Sequence, residues 1–517
     1  MTFQSQLGTL PKTSLPQTNT YGIGVLTDTY LYVCNWKNHE SVPANRQVRK
    51  VELRTELGTA LAFSNTCELA VKHDLADLWV CPGSKISSDI GENPTRYVFP
   101  SDDCYDRRHQ TEDHGIPRSV TIRRKQGTFA EKRLIYITLP EHDVRWATDG
   151  GDWALADVED PFTLLGALCY LWESDIIVRS SPGYSGIDLM KRTTDPLKSA
   201  KPGLSLWPDN HLEGDTIWTR PLTDSEASMA YVHFFDRNSQ RLGAATGLEI
   251  GIGNPDHVTI LMSQPNLKLT GIWRVRVKSI PQDASLFPSP ITCRNWDVNE
   301  LRGDYWTTNE VCSQMQRMGY ELDYLEGFYW TEKLDPKSNK PKRMQTRLLE
   351  TWAKKFWDTR KRLKESRQAY PNEQAADVAY TMIKIMATRA VGWLDLGKDK
   401  ERPYAERGQW NRPDIANGII GLARARMSLK MQEIWSEHQI APVGVRTDTL
   451  IYCSDEPDPR KAFPKLVLRE QELGGFKVVG TLPMNQTIIN LLGSSDSHLH
   501  KLNILKAMLS EQKVKVL

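Results

Sequence analysis

No two cysteines in this 517-residue chain are spaced as Cys-x-x-Cys. The eight present (Cys34, Cys67, Cys81, Cys104, Cys169, Cys293, Cys312 and Cys453) are scattered. That argues against a zinc knuckle and makes a reducing, cytoplasmic setting the expectation. No apolar run is long enough to cross a bilayer, so no membrane partner is expected. The start lacks the charged-then-apolar order of a signal peptide. Residues 1–20 are rich in Thr, Gln, Ser and Pro and read as a flexible tail. Net charge is only +2, which excludes a global polycation and leaves any nucleic-acid contact to local basic faces. There is no internal repeat.

What is present is ordinary soluble composition, 39% hydrophobic and 25% charged, on a chain too long for one core. Residues 21–192 read as mixed α/β. Strands are predicted at Gly22-Ile-Gly-Val-Leu, Tyr30-Leu-Tyr-Val-Cys and Leu134-Ile-Tyr-Ile-Thr-Leu, and a helix after the Asp160-Pro161 start signal. The charged stretch 102–125 reads as loop, 180–192 as a turn into a short basic helix, and 196–208 as a linker. Residues 344–368 have the strongest helical pattern: Leu348, Leu349, Trp352, Phe356 and Leu363 recur at three- and four-residue steps. Lys354, Lys355, Arg360, Lys361, Arg362, Lys364 and Arg367 make its remainder basic, either a solvated face or one turned to a polyanion. The many tryptophans between Trp296 and Trp357 suggest an aromatic core or a stacking surface.

Three stretches carry candidate chemistry. The strand Tyr231-Val-His-Phe-Phe delivers Asp236 into a helix-starting segment; the acid is then a metal ligand or a cap on the next helix. A helix over 375–394 holds Lys384, Thr388, Arg389, Val391 and Gly392. A helix capped by Asp414 runs to about 437, and after it Ala441-Pro-Val-Gly-Val-Arg446-Thr447-Asp448-Thr449-Leu-Ile-Tyr-Cys reads as two short strands around a tight turn. The carboxylate sits at the tip, where Asp is also favoured for its own hydrogen bonds.

In this order, Asp236, Lys384 and Asp448 resemble the polymerase core of family-B DNA polymerases, most closely the protein-primed branch of phages and linear plasmids. Phe235-Asp236-Arg237-Asn238-Ser239-Gln240-Arg241-Leu242 stands for the family's Asp-x-Asn-Ser-Leu-Tyr-Pro. Lys384 to Gly392 stands for Lys-x-x-x-Asn-Ser-x-Tyr-Gly, and Arg446-Thr447-Asp448-Thr449 for Tyr-x-Asp-Thr-Asp-Ser. Residues 185–192 and Gly475-Phe476-Lys477 fit more loosely, as the helix before the palm and the Lys-x-Tyr element that holds the primer end. Three departures stand out. One hairpin acid is Arg446, and the two family tyrosines are Arg241 and Val391. No Asp-x-Glu exonuclease signature is found in the amino-terminal third, where Asp28 and Glu52 are stray acids.

The resemblance implies an α/β (α+β) right-hand polymerase. Its parts would be the tail (1–20), a degenerate, RNase H-like exonuclease-like domain (21–195), palm (196–285 and 396–465), helical fingers (286–395) and thumb (466–517). It implies template-directed DNA synthesis from dNTPs on a primer 3′ hydroxyl or protein primer, in phage or mobile-element replication. Two Mg2+ or Mn2+ ions would sit on Asp236 and Asp448. Lys384, Arg389, Asn238, Ser239 and Arg241 would meet the nucleotide; Lys477, Arg360, Lys361 and Thr447 would meet DNA. The partners implied are template-primer, dNTPs and a terminal protein or other replication factor. Two alternatives remain open. One is a polymerase-derived DNA-binding replication factor without synthesis, suggested by Arg446. The other is a primase-like polymerase with relaxed sugar selection, suggested by Arg241.

Overall fold

The computed structural model describes residues 22–34, 48–52, 75–92, 105–113, 116–124, 134–147, 155–179, 181–194, 212–259, 264–301, 303–334, 341–365, 367–369, 372–395 and 412–516. The tail 1–20, the linker 196–208 and most of the charged stretch 395–413 lie outside them. The chain forms two compact units: Met1–Arg192 with Lys355–Trp393, and Thr193–Lys354 with Leu394–Leu517.

The first unit is built on a seven-stranded sheet of order β3-β2-β1-β4-β7-β6-β5. The strands are β1 (Gly22–Leu26), β2 (Tyr30–Cys34), β3 (Val48–Glu52), β4 (Leu75–Val80), β5 (Tyr105–Asp113), β6 (Ile116–Arg124) and β7 (Leu134–Thr138). β1, β2 and β3 form an antiparallel meander, while β4 lies parallel to β1 and β7 parallel to β4. Every residue of β1 is buried, as the continuous apolar run of a strand covered on both faces requires. The stretch 102–125, expected as loop, is instead mostly the β5–β6 hairpin. β5 is the sheet edge, and charge is what keeps an exposed edge from pairing with another chain. The feature that suggested a loop is thus the mark of an edge strand.

Three helices follow in sequence: α1 (Lys85–Glu92), α2 (Pro161–Glu173) and α3 (Pro182–Thr193). α2 starts where Asp160-Pro161 predicts, with the Asp160 side chain accepting from the Phe162 and Thr163 amides. α3 lies against the helix Glu373–Leu394. A Cβ added to Gly186 would stand 2.5 Å from the Ala390 Cβ, so glycine is what lets these two backbones approach. The basic helix spans Glu350–Glu365, later than expected, because Gln345–Thr346 pairs as a strand with Ile250–Gly251. Leu348, Leu349, Trp352, Phe356 and Leu363 are all buried, as their spacing predicts.

The second unit is organised on an antiparallel sheet of five strands. In chain order its first members are β8 (Ile217–Thr219) and β9 (Tyr231–Arg237), the latter followed by the helix α4 (Gln240–Gly247). A separate four-stranded sheet is made of β10 (Asp256–Thr259), β11 (Gly271–Ser279), β12 (Asp304–Thr308) and β13 (Glu321–Tyr329), with α5 (Asn309–Arg317) between the last two. Trp273, Val275, Val311, Cys312, Met315 and Tyr324 form its core. The span 286–395 therefore carries strands as well as helices and is not helical throughout. Trp296, Trp330 and Trp352 are core side chains.

The helix α6 (Pro413–His438) then leads to β14 (Gly444–Arg446), β15 (Thr449–Ser454) and β16 (Phe476–Pro483). Asp414 does not cap α6: Arg412 holds the cap position and pairs with Asp414 at 2.7 Å. The five-stranded order is β16-β9-β15-β14-β8. Alternation in β9 places Val232 and Phe234 in one core, with Ile451, Leu482 and residues of α7 (Gln486–Gly493) and α8 (His498–Val516). Phe235 enters the opposite core with Leu450, Tyr452 and, from α6, Met427 and Met431. Buried His233 links β9 to both neighbours through Thr481 Oγ1 (2.9 Å) and Ser454 Oγ (2.8 Å). Among the described residues no helix is long and apolar enough to cross a membrane.

Candidate active site

β9 ends at Asp236 and Arg237, beside the β14–β15 turn. Strand register fixes a row across the sheet: Ile217 opposite Arg446, Arg446 opposite Thr449, Thr449 opposite Asp236, and Asp236 opposite Lys477. Directly opposed residues share a face, so Asp236 stands between a threonine and a lysine, with Arg446 one strand further on. The Lys477 Nζ lies 2.9 Å from Asp236 Oδ2, and the Thr449 hydroxyl donates to Oδ1 at 3.4 Å.

Asp448 is at the tip, as the sequence predicts. The Arg237 amide donates to its carbonyl at 2.9 Å, which brings the ends of β9 and β14 together. Thr447 has φ +51°, a left-handed conformation that a β-branched residue rarely adopts. Its amide donates to the Thr216 carbonyl at 2.7 Å, and Gln240 Nε2 donates to the Thr447 carbonyl at 3.4 Å. The turn is thus fixed from two sides.

Asp236 does not cap α4. The cap position is Ser239, at φ +47°, and no side chain caps the helix. Asn238 is pinned through its backbone to Gly475 and Gly474 at 2.8 Å each. α4 therefore begins next to the two acids, with the electropositive end of a helix at its amino-terminal turn. Its second residue, Arg241, pairs with Asp215 at 2.8 Å. These two, with Gly214, Thr216, Gln240 and Thr447, line a shallow, open polar depression. Behind it Arg424 is buried against Glu213, donates to the Gly214 carbonyl at 2.9 Å and lies over the Trp296 ring. Burial pushes that guanidinium down to about 9.

The electrostatics separate the two acids. Burial, and then the charge of Asp236, push Asp448 up to about 7; its own backbone amide and Arg241 oppose this. Asp236 has Lys477 as counter-ion, whereas no ion pair of Asp448 stands among the described residues. Arg237 donates to the Gly474 carbonyl at 2.7 Å; burial, then Arg426, lower it to about 10. Nη1 of Arg237 and Nη1 of Arg446 are both buried without a hydrogen-bond partner.

Among the described residues no group of three or more His, Cys, Asp or Glu side chains is placed to hold a metal ion. A hard divalent cation such as Mg2+ needs fewer, because one or two carboxylates suffice when water and substrate oxygens complete its shell. Asp236 and Asp448 fit that requirement. The half-buried, unmatched carboxylate of Asp448 is the feature that a cation would relieve.

Of the residues singled out in the sequence, Asp236, Asn238, Ser239, Arg241, Thr447, Asp448 and Lys477 gather in the second unit. Lys384, Arg389, Arg360 and Lys361 belong to the first. Lys384 and Arg389 are exposed on a helix whose Met382, Ile383, Ile385 and Met386 are buried. Arg360 donates to the Tyr380 hydroxyl at 2.7 Å, and Lys361 lies 3.7 Å from Glu365. The sequence reading missed Asp215 and Glu213. Neither has a local signal: each matters only through a partner brought up by the fold.

No protein-family model and no curated protein matches the chain. Among solved structures it is similar to phi29 DNA polymerase complexed with primer-template DNA, at 13% identity and TM-score 0.49, covering 89% of this chain and 84% of that one. It is similar also to the phi29 ternary complex with primer-template DNA and incoming nucleotide, at 12% identity and TM-score 0.48, covering 90% and 85%. The family-B DNA polymerase of the archaeon Pyrobaculum calidifontis follows at 10% identity and TM-score 0.31, covering 96% and 66%.

Proposed function

We propose that the chain is a template-directed DNA polymerase that joins dNTPs to a primer 3′ hydroxyl or a protein primer. The observation that carries this reading is the meeting of Asp236 and Asp448, from distant parts of the sequence, at the ends of interior strands of an antiparallel sheet. They adjoin an uncapped helix start and a polar pocket. Asp236, Asp448 and a neighbouring backbone carbonyl would hold Mg2+ or Mn2+. Bound there, the ions would activate the attacking hydroxyl and neutralise the triphosphate. The first turn of α4, at Ser239 to Leu242, offers backbone N–H groups to phosphate oxygens, with Asn238 fixing its start. Arg241 and the pocket beside it would meet the sugar. Lys477 and Thr447 would hold the nucleic-acid backbone independently of sequence; Lys384 and Arg389 as triphosphate cations, and Arg360 and Lys361 as backbone contacts, belong to the first unit and rest on the motif resemblance alone.

On this reading the five-stranded sheet is the palm, assembled from two chain segments, with the Lys384 helix in the fingers and the last helices in the thumb. The order β3-β2-β1-β4-β7 suits an RNase H-like exonuclease domain. β1 there carries only Gly, Ile, Val and Leu, so the acids such a nuclease needs on that strand are missing. A terminal protein or other replication factor and a cytoplasmic setting complete the reading.

Template-primed incorporation with Mg2+ or Mn2+ tests it. Asp448→Asn is expected to abolish synthesis, and undiminished synthesis would remove the site. A second reading, a DNA-binding factor that no longer synthesises, is favoured by Arg446 and Lys477, which place two cations in the row with Asp236. DNA binding that survives Asp236→Ala, with no synthesis by the wild type under either metal, would select it. Equal use of ribo- and deoxynucleotides would instead mark a primase-like enzyme, in which Arg241 tolerates the 2′ hydroxyl.

A further inference from the structure

The two acids of the site are not equivalent. Asp236 carries its own counter-ion: the Lys477 ammonium lies 2.9 Å from Oδ2, and the side chains retain 40% and 23% exposure. The contact is fixed by register, since the two residues are direct cross-strand partners. Asp448 has no ion pair among the described residues. Lys477 holds Oδ2 and the Thr449 hydroxyl reaches Oδ1 at 3.4 Å, so a cation shared by both carboxylates competes with the ammonium for the charge of Asp236 whichever oxygen it takes. Lys477 is also exposed enough to reach a second anion on the solvent side.

We propose that Lys477 is a displaceable plug on the metal site. It sits on Asp236 in the free protein and swings to a backbone phosphate when nucleic acid binds, so that divalent-cation binding and nucleic-acid binding strengthen each other. This rests on the reading of Asp236 and Asp448 as a metal site. The coupling is reciprocal by linkage: whatever the duplex adds to cation affinity, the cation adds to duplex affinity.

Mn2+ binding, read as loss of the free-ion electron paramagnetic resonance signal, tests the plug. Full-length wild type, Lys477→Met and Asp448→Asn are titrated with and without a short blunt DNA duplex, and a duplex-only titration is subtracted. Without DNA, Lys477→Met is expected to bind Mn2+ roughly fivefold tighter than wild type, the equivalent of about 1 kcal/mol for a partly exposed ion pair. The duplex is expected to tighten Mn2+ binding by wild type by a similar factor and to leave Lys477→Met unchanged. A Lys477→Met protein that binds Mn2+ no more tightly than wild type overturns the plug, as does a duplex that tightens both proteins equally. Asp448→Asn separates the two levels. Its expected loss of Mn2+ binding upholds the metal site whatever Lys477 does, whereas binding equal to wild type overturns the site and the plug together.

Discussion

Burial pushes three carboxylates up to about 7, Asp77 in the first unit and Glu310 and Asp448 in the second, and Asp77 and Asp448 stand in opposite surroundings. Asp77, on β4 of the first unit, is 1% exposed. Its Oδ2 lies 3.3 Å from Arg179, which reaches Asp188; Asp188 holds Arg192, Arg192 holds Asp175, and Asp175 meets Lys355. This alternating chain runs from the sheet to the start of the basic helix and closes the charges within the unit. Asp448, on a strained turn of the second unit, has another acid as its electrostatic neighbour and a pocket beside it. A raised carboxylate alone does not mark a functional site. The two differ in ion pairing: Asp77 has Arg179, whereas Asp448 has no ion pair among the described residues.

The comparison can be broken at either end. The largest effect is expected on synthesis. Asp236→Asn and Asp448→Asn should each lower primer extension by roughly a thousandfold or more, because each removes a ligand needed only for chemistry. Asp77→Asn, distant in role, should leave the rate per folded molecule nearly unchanged.

Stability should move in opposite directions at the two positions. Asp77→Ala removes one of the carboxylates that face Arg179 and opens a cavity, so denaturant unfolding should show a loss of about 1–3 kcal/mol. Asp448→Asn should instead stabilise the metal-free protein at pH 8 by about 1–2 kcal/mol, a figure reduced for the solvent that reaches the turn. The folded chain binds the Asp448 proton more tightly than the unfolded chain does. Stability is therefore lost as pH rises from about 4 through about 7, and the advantage of Asn over Asp should vanish in unfolding curves near pH 4. An advantage that persisted at pH 4 would mean that Asp448 is not strained by its charge.

The smallest effect is expected at Lys361. Its pairing with Glu365 joins two side chains about half exposed, so Lys361→Ala should change stability by less than about 0.5 kcal/mol. A drop in duplex affinity without a change in melting temperature would assign that face to DNA.

The acid-bearing elements were legible in the sequence because their signals are local. The apolar run into Asp236 and the β-branched residues on both sides of Thr447-Asp448 define strands and a turn without reference to anything else. The α4 cap was not legible. Asp236 stands near a helix start, yet the backbone spends Asn238 on the Gly474–Gly475 turn, and the acid faces Lys477 instead. Asp215 and Glu213 become visible only when Arg241 and Arg424 are brought to them. The edge hairpin β5–β6 was read as loop because charge on an edge strand and charge in a loop look alike in one dimension. The sheet within 286–395 was hidden by aromatics that fit a helical core equally well. On the basic helix, periodicity found the buried face, but it could not reveal that Arg360 is engaged by Tyr380.

The account rests on a cation meeting Asp236 and Asp448 together. Anomalous diffraction from crystals of the protein grown with a DNA duplex and Mn2+ tests this most directly. The account predicts an anomalous peak within coordination distance of both carboxylates, with the Lys477 ammonium moved off Asp236. Crystals in which Mn2+ binds only elsewhere, while Lys477 still holds Asp236, would contradict it.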